Sequence, residues 1–138
     1  MYYTYDAAPT GGGLALGGAI SDSTNTVLMV SKHGALPPAS QGVVVKGFAN
    51  VLQGGTVGAI TFTCYQGNGT GGTQVGSALV DYGPIVSQKN THFFSFLDTA
   101  PTGDGQYTIA AELAGSTSNG TFEFGAIEVM VPEQGADT

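Results

Sequence analysis

The chain has no arginine and no tryptophan, only one cysteine, and charged groups at just 9% of its 138 positions. Each shortage removes a class of function. Three lysines, Lys32, Lys46 and Lys89, stand against ten carboxylates for a formal net charge of −7. Nucleic-acid binding runs on clustered Lys and Arg that displace counterions from phosphates, and three scattered lysines do not supply it. With Cys64 alone, no intrachain disulfide forms. Cys64 lies in Ile60-Thr61-Phe62-Thr63-Cys64, on the strand face of Ile60 and Phe62, and reads as a small core residue rather than a nucleophile. No apolar run approaches the roughly 18 residues of a membrane helix, so no membrane partner is expected. The start, Met-Tyr-Tyr-Thr-Tyr-Asp, has neither the basic residues nor the apolar core of a signal peptide.

Signals for chemistry are equally sparse. His33 and His92 are far apart, and neither has a His or Glu two or four positions away, the local spacing of zinc sites. Gly76-Ser77-Ala78 sits in a strand-like context and is not the Gly-x-Ser-x-Gly elbow of a hydrolase. The run Gly67–Gly72 lacks the Gly-Lys-Ser/Thr ending of a phosphate loop and reads as a hairpin turn. Asp98 and Asp104 flank the Pro101–Gly105 loop and with Asp81 offer carboxylates for calcium, but the spacing is not that of an EF-hand and they read as turn caps. Asn68-Gly69-Thr70 and Asn119-Gly120-Thr121 match the glycosylation sequon but read as turns. The expectation is therefore a protein that is not an enzyme and has no catalytic residue, cofactor or metal.

What the chain does have is glycine, 23 residues of it, and alternation. In Gln106–Leu113 the residues Tyr107, Ile109, Ala111 and Leu113 share one parity, while Thr108, Ala110 and Glu112 share the other. That is the period of a strand with one wet face. Strands are predicted at Thr26–Ser31, Gly42–Leu52, Thr56–Tyr65, Gln74–Asp81, His92–Asp98, Gln106–Ala114 and Thr121–Val131. The separators are Gly, Pro and Asn clusters: Ala35–Pro38, Gly54-Gly55, Gly67–Gly72, Pro101–Gly105 and Ser118–Gly120. No window shows a 3.6-residue apolar period. The fold class is all-β, an antiparallel β-sandwich of jelly-roll type, in one domain over 25–132 with a short tail at 133–138. Residues 1–24, with three tyrosines and many glycines, form an extended N-terminal arm in this reading. Fully extended it spans about 80 Å, enough to cross onto a neighbouring subunit.

Two strands break the simple pattern. In the last one, Phe122 and Phe124 have one parity and Ile127, Val129 and Val131 the other, which places a β-bulge near Gly125-Ala126 or, alternatively, covers both faces from Ala126 onward with Glu128 at a rim. In Val43-Val44-Val45 both parities are apolar. Two-sided burial in a thin sandwich points to a subunit interface. Candidate assembly contacts are Tyr2, Tyr3 and Tyr5 on the arm and Val43, Val45, Ile127 and Val129 on these strands.

The run Phe93–Pro101, followed by Gly105-Gln106-Tyr107-Thr108-Ile109 and closed by Gly125–Val131, resembles the C-terminal half of small bacteriophage virion proteins with jelly-roll or TNF-like domains. The resemblance implies a homotrimer that decorates, or cements, the outer surface of a capsid, with the major capsid protein as partner. Its relatives in tail fibres and spikes imply an alternative, a receptor-binding domain whose Gly67–Gly72 and Pro101–Gly105 loops meet the host surface.

Overall fold

A computed structural model describes residues 2–7, 18–21, 24–31, 42–101, 105–114 and 120–131. Seven strands account for most of them: β1 (Tyr2–Ala7), β2 (Gly18–Ile20), β3 (Thr26–Val30), β4 (Val43–Gln66), β5 (Gln74–Asp98), β6 (Tyr107–Ala114) and β7 (Gly120–Val131). Every pairing is antiparallel. Among the described residues there is no helix, and the architecture is the expected β-sandwich.

The sandwich is organised by β4 and β5, of 24 and 25 residues, which run together as one long hairpin. Along its other edge β4 changes partner. Val44–Gln53 pairs with β7, and Ala59–Gln66 pairs with β6. The first half of β4 therefore joins β1, β7 and the second half of β5 in a first sheet. Its second half joins β3, β6 and the first half of β5 in a second sheet packed on the first.

Four expected strands have thus fused into two, and Gly54-Gly55 is not a turn. Pairing jumps from Gln53↔Gln88 to Thr56↔Val86, so two residues of β4 oppose one of β5, and it shifts again between Val57 and Ala59. Such irregularities bend and twist a ladder, and glycines in a strand interior mark them. Pro84, which has no N–H to give, falls in the same bend on an edge strand.

The alternation of β6 holds on its inner side, where Tyr107, Ile109, Ala111 and Leu113 are all buried. Its other side is not wet. Thr108 and Ala110 are fully buried as well. The Thr108 hydroxyl donates to the Gly67 carbonyl (2.7 Å) and accepts from the Gly69 N–H (2.8 Å), so the β4–β5 turn is tied down over this strand. Gly67 and Gly69 hold φ of 86° and 96°, values that favour glycine. Between the sheets the core contains Phe62, Phe94 and Phe96, with ring centroids 5.8 and 6.0 Å apart in sequence along this row, and Phe122, Leu28 and Met29.

β7 does carry a bulge, but at Glu123 rather than Gly125-Ala126. Asn50 opposes Phe124 and Val51 opposes Phe122, leaving Glu123 over. Phe122 and Phe124 therefore point to opposite faces: Phe122 is fully buried, Phe124 half exposed.

The segment 1–24 also departs from the expected arm where it is described. β1 pairs with Ala126–Val131 and β2 with Gly120–Phe122, both on the β7 of their own chain. His33, Lys32, Asp104, Asn119 and the tail 133–138 lie outside the described residues.

Candidate functional site

The outer face of the first sheet collects three of the four large apolar side chains exposed among the described residues. Register aligns it in rows across β7, β4 and β5: Met130–Val44–Leu97, Glu128–Lys46–Ser95, Ala126–Phe48–Phe93 and Phe124–Asn50–Thr91. Phe93 is 80% exposed, Leu97 59% and Phe124 49%. Phe48 joins the aromatics into a cluster, with its ring centroid 6.2 Å from Phe93 and 6.0 Å, edge-on, from Phe124. Such offset and edge-to-face pairs are favourable geometries that fix ring positions before any partner arrives. A shallow groove of about 380 Å³ runs beside them, lined by Lys46, Gly47, Phe48, Phe93, Ala126 and Glu128 among others.

The charges of this face cancel. Lys46 is the register partner of Glu128, and Lys89 Nζ stands 3.5 Å from a Glu123 carboxylate oxygen. The Lys89–Glu123 ion pair is open to solvent and contributes little to stability. The effect of these four charges is on the field: in a chain of net charge −7, this face is locally neutral. Asn50 Nδ2 donates to Thr91 Oγ1 (2.8 Å), while its buried Oδ1 has no donor among the described residues.

Beneath the face the backbone is close-packed. A Cβ built on Gly47 would lie 2.0 Å from the Ala126 carbonyl oxygen, and one on Gly125 2.5 Å from that of Phe48. Only glycine at both positions lets β4 and β7 approach this closely.

Away from this face, Asp98, Tyr107, Cys64 and His92 are buried within the fold. Asp98 Oδ2 accepts from Tyr107 Oη (2.7 Å) and Gln66 Nε2 (2.8 Å), and its Oδ1 accepts from the Ala100 N–H (3.1 Å), two residues on. The expected turn cap is thus present, tied to the core by Tyr107. Burial, then the bond to Asp98, pushes the Tyr107 phenol well up, so it stays a donor. Burial likewise pushes the Cys64 thiol up, with the Asp98 charge adding to it, which is the opposite of an activated nucleophile. His92 is buried against Phe62 (centroids 5.3 Å apart), and burial lowers its pKa. Among the described residues no three His, Cys, Asp or Glu gather as metal ligands.

Four of the expected assembly contacts are corrected by their burial. Val43, Val45, Ile127 and Val129 are at most 1% exposed, packed between the two sheets of their own chain. The surface positions of the same strands are their neighbours: Val44, Lys46, Glu128 and Met130. Tyr2, Tyr3 and Tyr5 oppose Val131, Met130 and Glu128 in register, at the far edge of the same sheet. Sequence reasoning missed Phe48, Phe93, Leu97 and Phe124. A signal existed in His92–Asp98, where Phe93 and Leu97 are apolar on one parity and Phe94 and Phe96 on the other. No protein-family model, curated protein or solved structure matches the chain.

Proposed function

We propose that this chain is a structural assembly protein that binds through the outer face of its first sheet. Its role is the one implied by the virion resemblance: an oligomeric decoration protein on the outside of a phage capsid, in contact with the major capsid protein. One observation carries the assembly reading. Three clustered phenylalanines stand at the surface of a charge-poor chain, surrounded by charges that cancel. Clustered exposed apolar side chains mark interaction surfaces, and aromatics supply much of the binding energy where such surfaces are covered. A protein that binds only the assembled shell stabilises it by linkage, and many identical contacts add through avidity.

Counting tests the location. In a purified particle the chain is expected at hundreds of copies in fixed ratio to the major capsid protein; its absence sinks the decoration role. For the face, Phe124→Ser is expected to weaken binding to purified shells roughly tenfold or more, the value of one buried aromatic. Unchanged affinity would remove this face as the contact.

A second reading, a host-recognition module in a fibre or spike, rests on the loops at one end. Gln66 Nε2 reaches both Asp98 and the Ala100 carbonyl (3.0 Å), bringing the β4–β5 turn beside the loop after β5. A hollow of about 410 Å³ between them is lined by Gln66, Thr73, Gln74, Leu97 and Thr99 among others. Copy numbers in the tens favour this reading over decoration.

A further inference from the structure

Among the described residues β5 is paired on one side only: it bonds to β4 along most of its length, and no described strand takes its other edge in either sheet. Proteins blunt open edges with prolines, lysines, bulges or short strands, because an unpaired ladder recruits another strand. In β5 the proline and two of the three pairing irregularities fall in the bend between the sheets, the third lies at Val75 beside the β4–β5 turn, and the lysine is Lys89. Asn90–Asp98 has none of these devices: it pairs regularly with β4 and carries no lysine or proline. Of the four large apolar side chains exposed among the described residues, three are on this strand: Leu79, Phe93 and Leu97.

We propose that the Asn90–Asp98 edge of β5 is a self-pairing seam, occupied by the same strand of a second copy in antiparallel register about Ser95. The residue pattern selects that register. Opposed residues in an antiparallel pair share a face, so outward positions meet outward positions. With the axis at Ser95, Phe93 meets Leu97 of the second copy and Leu97 meets its Phe93, while on the inner side Phe94 meets Phe96. Moving the axis to Phe94 or Phe96 instead sets Phe93 against Ser95 or Thr99. Charge agrees with the choice. The outward positions Thr91, Phe93, Ser95 and Leu97 are uncharged, so two chains of net charge −7 meet where repulsion is least. The pairing doubles the first sheet and carries the aromatic cluster across the seam.

The seam is isologous, a two-fold contact that yields even-numbered assemblies, unlike the trimer implied by the virion resemblance. It concerns self-association only, and stands or falls apart from the capsid reading.

The axis passes through Ser95, an exposed residue, which makes the test direct. Under mild oxidation Ser95→Cys is expected to form a disulfide-linked dimer on a non-reducing gel, while Ser77→Cys, farther along the same strand, stays monomeric. Buried Cys64 does not compete. Light scattering on the native chain should give an even number of copies, and Ser95→Asp, which sets two carboxylates face to face, should halve that mass with the circular dichroism unchanged. A native mass of one or three copies overturns the seam. So does a mass unmoved by Ser95→Asp, or a Ser95→Cys that crosslinks no better than Ser77→Cys.

Discussion

The two outer faces of the sandwich are built by the same pair of strands and differ sharply. Where β4 and β5 belong to the first sheet, their outward residues include Val44, Phe48, Phe93 and Leu97; where they belong to the second, Thr61, Thr63 and Ser77, with Leu79 the one large exposed apolar. The second face is also internally satisfied, since the hydroxyl of Thr108 on β6 anchors the β4–β5 turn over it. One face is spent on holding the chain's own loop. The other is left with aromatic area that nothing in the described chain covers.

If that contrast is right, substitutions should sort by face. The largest effect belongs under the first face, at Gly47→Val. The new side chain collides with the Ala126 carbonyl, a backbone atom that yields only if β7 moves. A loss beyond about 4 kcal/mol is expected, seen as no cooperative thermal transition. On the second face, Thr108→Val keeps the shape but strips both turn bonds, leaving the half-buried Gly67 carbonyl and Gly69 N–H without their partner. This should cost about 1–3 kcal/mol in denaturant melts. On the first face, Phe93→Ser should change folding stability by no more than about 0.5 kcal/mol. Equal costs for Thr108→Val and Phe93→Ser would erase the distinction.

The smallest effect is a pH dependence from the layer between the faces. Burial holds the His92 pKa below the ordinary 6.5, so the unfolded chain binds its proton more readily than the folded one. Stability from this group is complete above pH 6.5 and falls as pH drops below it. The melting temperature should therefore decline from pH 7.5 to 5, and His92→Gln should flatten the decline. An identical slope in the variant would show that His92 is not the group responsible.

Much of the sandwich was legible because alternation and burial are the same information. Ile60, Phe62 and Cys64, or Tyr107, Ile109, Ala111 and Leu113, could be assigned to the core from parity alone, whereas the burial of Thr108 and Ala110 could not. Gly54-Gly55 misled because a glycine pair suits a turn and a bulge equally; which one forms depends on whether the flanking segments pair with each other or share a partner. For β7, parity showed that a residue is surplus somewhere between Phe122 and Ile127, but the choice of Glu123 is made by the match to Asn50 and Val51 across the ladder. The assembly contacts failed for a related reason. In Val43-Val44-Val45 both parities are apolar, and only the partner sheet decides that Val43 and Val45 go inward.

The long hairpin also determines how the molecule can come apart. Because β4 is bonded to β5 along one edge and to β7 and then β6 along the other, neither layer can open without breaking a ladder that runs through both. The sandwich has a spine rather than two separable leaves. Its amides should exchange with solvent in that order of attachment, with β1 and β3 at the margins losing protection first and the middle of β4 releasing its hydrogens only when the whole chain unfolds.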